Sequence, residues 1–135
     1  MSFKEGKTKK IFLAWVFVLA LGLEAEAANW EYFYHNDDRV CYYDTTAVTP
    51  KGDGIVAVEV HSDWAPKAID LFEDKNQSYT RAFLEIDCQN KTYRQLLSTS
   101  YRKEGEVSSI NDRVSDWMSI PDKSLIDLLK NQVCR

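Results

Sequence analysis

Few side chains in this chain of 135 residues stand in patterns that do chemistry. His35 and His61 are its only imidazoles. One ends an aromatic run, the other lies on the wet phase of an alternating run, and neither has a His or Cys beside it at metal-ligand spacing. A zinc site needs several such ligands to converge, so no metal is expected. A cysteine with a histidine could form a nucleophile and its base, but nothing in the spacing joins Cys41 to either ring. Glu85 and Asp87 would lie roughly 7 Å apart on one strand face, a separation a glycosidase could use. Arg94 opposite Glu85 and Arg81 nearby instead offer ordinary ion pairs on a solvated face. There is no Gly-x-Ser-x-Gly elbow and no Walker loop, and Lys51-Gly-Asp-Gly54 reads as a turn, as do Asp37-Asp38 and Glu73-Asp74. The chain is therefore read as non-enzymatic, with no catalytic residue and no cofactor.

The amino-terminal segment reads as an address. Lys4, Lys7, Lys9 and Lys10 precede an apolar run from Ile11 to Leu23, and Glu24-Ala-Glu-Ala27 follows. A basic start, a short apolar middle and small residues three apart are the parts of a secretory signal peptide, with cleavage after Ala27. As a helix the run would rise only about 20 Å against a hydrocarbon core of roughly 30 Å, so it does not suit a permanent anchor. No cysteine near the cleavage region could take a lipid. The expected organisation is a leader over 1–27 and one domain over 28–135, periplasmic or secreted, without stable membrane insertion after cleavage. Removing the leader takes four basic and three acidic residues from totals of 17 and 21, leaving a net charge of −5. Nucleic acid and anionic lipid both need local positive charge, and neither is expected as a partner.

The remaining chain patterns as a strand meander followed by one helix. Trp30–His35 and Arg39–Asp44 are aromatic and β-branched runs around Asn36-Asp-Asp38, a hairpin signal. Thr49-Pro-Lys-Gly-Asp-Gly54 is a second turn cluster. Val56, Val58 and Val60 then alternate with Ala57, Glu59 and His61 as a half-buried strand. Pro66 interrupts a loop over 62–76, with room for one helical turn. A two-residue turn at Gln89-Asn90 would set Ile86 against Tyr93, Glu85 against Arg94 and Leu84 against Gln95. One face then carries Ala82, Leu84, Ile86, Cys88, Tyr93 and Leu97. The other carries Arg81, Glu85, Asp87, Thr92 and Arg94, with Phe83 and Leu96 as exceptions. A short strand over 107–110 follows. Ser124-Leu-Ile-Asp127 has the form of a capping box, and Leu125, Leu128, Leu129 and Val133 recur at helical spacing. The expected fold is α+β: a single antiparallel sheet of about six strands with a C-terminal helix on one face.

Two features bear on stability and binding. Cys88 faces the dry side and Cys134 follows the helix that should lie there, so a Cys88–Cys134 disulfide would staple helix to sheet. It would close a loop of about 46 residues, worth on the order of 4 kcal/mol in the chain-entropy model. Cys41, inside a strand, reads as a small buried hydrophobe, with an intermolecular disulfide or reactive thiol as the sharper alternative. Aromatic residues are plentiful, with four Trp and seven Tyr, more than one thin core hides. Trp30, Tyr32 and Tyr34 should share a face, while Tyr42 and Tyr43 point opposite ways. An exposed cluster of Tyr and Trp would anchor an interface, and free strand edges offer backbone pairing.

The order and spacing of several short motifs resemble the surface-adhesin protein E family of Gram-negative bacteria. They are Trp30, Tyr42-Tyr-Asp44, Ile86-Asp-Cys88 followed by Lys91-Thr-Tyr-Arg94, Tyr101 with Gly105, Trp117 then Ile120-Pro121, and Val133-Cys134. The resemblance implies an antiparallel sheet with a C-terminal helix, and pairs Cys88 with Cys134. It implies an adhesin-like module whose partners are proteins of the host matrix, serum or bacterial envelope, with a capacity to form homodimers. The chain departs from the family's lipid-attached adhesin in lacking the cysteine for that attachment, and Cys41 looks like an addition. The alternative reading is a periplasmic inhibitor of a cell-wall hydrolase such as lysozyme.

Overall fold

The structure is a computed structural model that describes residues 27–135. The leader expected over 1–27 lies, except for Ala27, outside the described residues. Among the described residues eight antiparallel strands form one sheet, and a C-terminal helix packs on one of its faces. In chain order the strands are β1 (Trp30–His35), β2 (Arg39–Asp44), β3 (Thr49–Gly52), β4 (Ile55–Trp64), β5 (Gln77–Asp87), β6 (Thr92–Arg102), β7 (Val107–Asn111) and β8 (Met118–Ser119). The helices are α1 (Pro66–Ile69) and α2 (Leu125–Val133). Spatially the order is β1-β2-β4-β5-β6-β7, the expected six-strand meander. Two short strands extend it: β3 continues alongside β4 and β8 alongside β6.

Local chemistry sets the turns. Asn36 Oδ1 accepts from the Asp38 and Arg39 backbone N–H groups, closing the β1–β2 hairpin. Gly52, Asp53 and Gly54 all have positive φ and reverse the chain between β3 and β4. A Cβ on Gly54 would also stand 2.9 Å from Gln89 Cγ, so the Gln89 side chain would have to shift. Thr49-Pro-Lys-Gly52, expected only as a turn, pairs with β4 as an edge strand, where Pro50 is tolerated.

The β5–β6 register begins as expected: Ile86 opposes Tyr93, Glu85 opposes Arg94, and Leu84 opposes Gln95. A bulge then adds one residue to β6, so that Phe83 faces Leu97 and Ala82 faces Ser98. Leu97, expected on the dry face, is thereby moved to the opposite one, because one inserted residue reverses every side chain beyond it. A second bulge between Tyr32 and Tyr34 sets Tyr34 opposite Cys41 and takes it off the face shared by Trp30 and Tyr32.

The core lies under α2. Leu129 is fully buried and packs with Tyr43, Val58, Val60, Leu84, Ile86 and Ile120. Ser124 is the N-cap: its Oγ accepts from the Asp127 N–H at 3.2 Å. The Asp127 carboxylate reaches back to the Lys123 N–H at 2.8 Å, one residue before the cap. Nine residues make a helix too short to persist alone. Its far end is tethered by the Cys88–Cys134 disulfide, which joins residues 46 apart whose Cα atoms are 5.7 Å apart.

Replacing Cys88 and Cys134 together with Ala is expected to lower the unfolding free energy by about 2–4 kcal/mol. Urea denaturation measures this, and amide exchange should show α2 losing more protection than β5.

Candidate functional site

The strand alternation gives the sheet two unlike faces. On the α2 side lie Cys41, Tyr43, Val58, Val60, Leu84 and Ile86, all buried. The other side carries the residues between them, and there an aromatic row crosses five strands: Trp30 on β1, Tyr42 on β2, His61 on β4, Tyr79 on β5 and Tyr101 on β6. Ring centroids are 5.4 Å apart for Trp30–His61 and 6.0 Å for Tyr42–His61. His61–Tyr79 and Tyr79–Tyr101 are stacked at 5.0 and 4.9 Å, with interplanar angles of 24° and 16°. Register explains the row, since Tyr42 opposes His61, and the β6 bulge brings Tyr101 opposite Tyr79.

Arg81 knits the row together. Its guanidinium carbon stands 5.1 Å from the Trp30 ring centroid and 5.6 Å from that of Tyr79. Its Nε donates to His61 Nδ1 at 3.2 Å. Because Arg can only donate, Nδ1 must accept, so the imidazole proton sits on Nε2, which faces Asp63 Oδ1 at 2.8 Å. The 4.9 Å spacing of Tyr79 and Tyr101 is that of adjacent strands. Near-parallel rings at that distance stand upright on the sheet, with their faces against one another. What they turn outward is ring edges and hydroxyls. A platform for stacking bases or sugars needs free ring faces; this row offers hydrogen-bond donors and apolar edges instead.

Apolar residues extend the row. Tyr32 is 52% exposed, Phe83 42% and Ile110 61%, and all three belong to this uncovered side. Val107, opposite Tyr101, carries the patch onto β7. At one end Arg94 lies 4.6 Å over the Trp117 ring and pairs with Glu85 at 2.8 Å.

The remaining candidates have structural occupations. Glu85 is engaged by Arg94. Asp87 builds the β5–β6 turn, its carboxylate accepting from the Asn90 and Gln89 N–H groups and the Asn90 amide. The hydrogen bonds from Asn90 hold that carboxyl below the usual range. His35 meets the Tyr32 hydroxyl at 2.5 Å. Glu85, Asp87 and His61 line none of the four principal grooves. Asp74 takes Arg102 at 2.9 Å and the Ser108 hydroxyl at 2.6 Å, tying the loop after α1 to β6 and β7. Cys41 is fully buried with its Sγ 3.4 Å from Ser62 Oγ, and burial pushes its thiol up, which accords with a small core hydrophobe rather than an available thiol. Among the described residues no helix is long and apolar enough to cross a membrane.

Tyr79, Tyr101 and the clasp made by Arg81 are not apparent from the sequence. Extending the turn register would set Tyr79 against Ser100, and only the bulge joins the two tyrosines.

Asp44 anchors the start of the row, opposite Trp30. Burial opposes its charge, but hydrogen bonds from the Thr46 hydroxyl and from the Asn29 and Thr46 N–H groups outweigh it, with help from Arg81, and its carboxyl lies below the usual range. A lowered folded-state pKa stabilises above the unfolded value of about 3.9 and is lost as pH falls through the folded value. Asp44→Asn is therefore expected to destabilise at pH 7, and denaturation at stepped pH should show the gap closing below about pH 4. For Cys41, thiol titration should find no reaction in the native protein and one equivalent only in denaturant.

No curated protein and no solved structure shows a significant match to the chain. The family model described as surface-adhesin protein E matches residues 30–135, from the first residue of β1 onward. With a disulfide-tethered helix over the core on one face of its sheet and no covering element on the other, the chain belongs to the surface-adhesin protein E family.

Proposed function

We propose that the protein is an exported, non-enzymatic binding module, adhesin-like in action, that meets an extracellular or cell-envelope protein through the aromatic row on its uncovered face. In this reading residues 1–27 are a cleaved leader, and 28–135 act in the periplasm or outside the cell of a Gram-negative bacterium. Membership of an adhesin family supports a surface or exported protein. The Cys88–Cys134 disulfide fits an oxidising compartment.

The observation that carries the reading is the stacked Tyr79–Tyr101 pair on the same face as the exposed Phe83 and Ile110. Tyr rings combine a large apolar area with a polar tip and lose little rotamer freedom when covered, which is why they serve as interface anchors. Here they are already held by stacking and by Arg81, so binding would order little that is not ordered beforehand. Glu85 and Arg94 on this face are paired with each other and would lie at the rim, where charges contribute to steering more than to affinity.

The test is surface plasmon resonance of the purified protein over an array of extracellular-matrix, serum and cell-envelope proteins. At least one should bind saturably, and Tyr79→Ala with Tyr101→Ala should weaken that binding tenfold or more, roughly the loss of one hot spot. An inert protein across the array, or a double variant that binds unchanged, contradicts the proposal.

A further inference from the structure

The face that carries α2 is only partly covered. Leu129 lies over the Val58, Leu84 and Ile86 region. Past Leu125 and Ile126, the first residues of the helix, the same face continues as Ser62 on β4, Thr80 and Ala82 on β5, and Ser98 on β6. These side chains are small where those under the helix are Val, Leu and Ile. The difference opens a hollow of about 340 Å³ between the sheet, the start of α2 and Trp64.

The lining of this hollow is chemically one-sided. It includes one charged residue, Arg39, and no carboxylate, on a chain whose net charge is −4. Among the described residues Arg39 joins no salt bridge. Its guanidinium rests over the Trp64 ring, 5.0 Å from the centroid. Trp64 is held in turn: its Nε1–H donates to Thr80 Oγ1 at 2.9 Å, and Phe72 packs edge-on at 5.2 Å. A guanidinium without a salt-bridge partner thus lines one end of a hollow whose floor is Val60, Ala82 and Leu84.

We propose that this hollow binds a small amphiphile carrying a single carboxylate. The apolar body lies on Val60, Ala82 and Leu84, and the carboxylate takes the planar donor fork of Arg39, a geometry that allows two parallel hydrogen bonds. The Gln95 amide and the Ser98 hydroxyl also line the hollow, on the β6 side away from Arg39. A cationic ligand would meet Arg39 with nothing to offset it, and a dianion would find no second cation. The volume lies at the small end of ligand sites, which suits a body of about ten carbons rather than a polymer. This site is on the opposite side of the sheet from the aromatic row, so its failure and that of the protein-binding reading are separable.

The test is an NMR titration of the ¹⁵N-labelled purified protein with decanoate below its micellar concentration, with decanol as the uncharged control. Saturable shifts are expected at the amides of Arg39, Ser62, Thr80 and Ser98, and not at Tyr79 or Tyr101. Arg39→Gln should weaken decanoate binding about tenfold or more, the usual range for losing a charge-assisted pair, and Arg39→Lys should retain part of it. Ala82→Leu, which fills the floor, should abolish binding; the spectrum itself reports whether each variant is folded, and Arg39→Gln decides should Ala82→Leu not fold. Absence of saturation, shifts centred on the aromatic row, equal binding of decanol, or an unchanged affinity in Arg39→Gln would each overturn the assignment.

Discussion

A helix of nine residues must serve as the cover of a sheet whose two longest strands run eleven residues each. At their respective rises the helix is about 14 Å long and the strands roughly 36 Å. That mismatch shapes the molecule. The helix cannot hold itself together in water, so it is capped by Ser124 at one end and tied by Cys134 to Cys88 at the other. It buries one deep residue, Leu129, which contributes on the order of 2 kcal/mol. It leaves part of its own face and all of the opposite one to other arrangements.

The two uncovered regions are stabilised by different means. On the open face the side chains cover each other: upright rings share their faces across strands, and Arg81 closes the gaps between Trp30, His61 and Tyr79. Cross-strand aromatic pairs of this kind stabilise a sheet that lacks a second layer. The same packing removes the ring faces from reach and leaves edges and hydroxyls outward, which is what makes the surface suited to a protein. On the helix side the uncovered region is small and hydroxylated, with Thr80 bonded to Ser100 and Ser62 to Cys41, so the polar groups there are partnered without a covering element. Among the described residues, Arg39 in this region joins no salt bridge.

Much of the fold is legible in the chain because its signals are local. The alternation from Val56 to Val60, the turn residues around Asn36 and Gln89, and the cap at Ser124 each act within a few positions. Together they determine the meander, the helix and the side on which Cys88 and Cys134 meet. The candidate site was legible only in part. Trp30, Tyr32 and Tyr42 stand in plain alternation, but Tyr79 and Tyr101 meet through a single extra residue in β6, and Leu97 changes face for the same reason. A bulge has no strong sequence signature here, since the residue it inserts lies in a Leu-Leu pair that reads equally well in either register. Met118-Ser119, too short to show a pattern, became visible only as a partner of β6. The hollow beside Trp64 depends on where the helix begins relative to the sheet, which no local pattern encodes.

The tethered helix buries the core on one face of the sheet, while the half-buried aromatic row on the other has no covering element. Relaxation of side-chain NMR signals by a soluble nitroxide measures that directly, ring by ring. Strong relaxation is expected for the Tyr32, Tyr79 and Tyr101 ring protons, with Tyr43 and the Val58 and Leu129 methyls protected. Protected Tyr79 and Tyr101 rings, or relaxed Leu129 methyls, would contradict it.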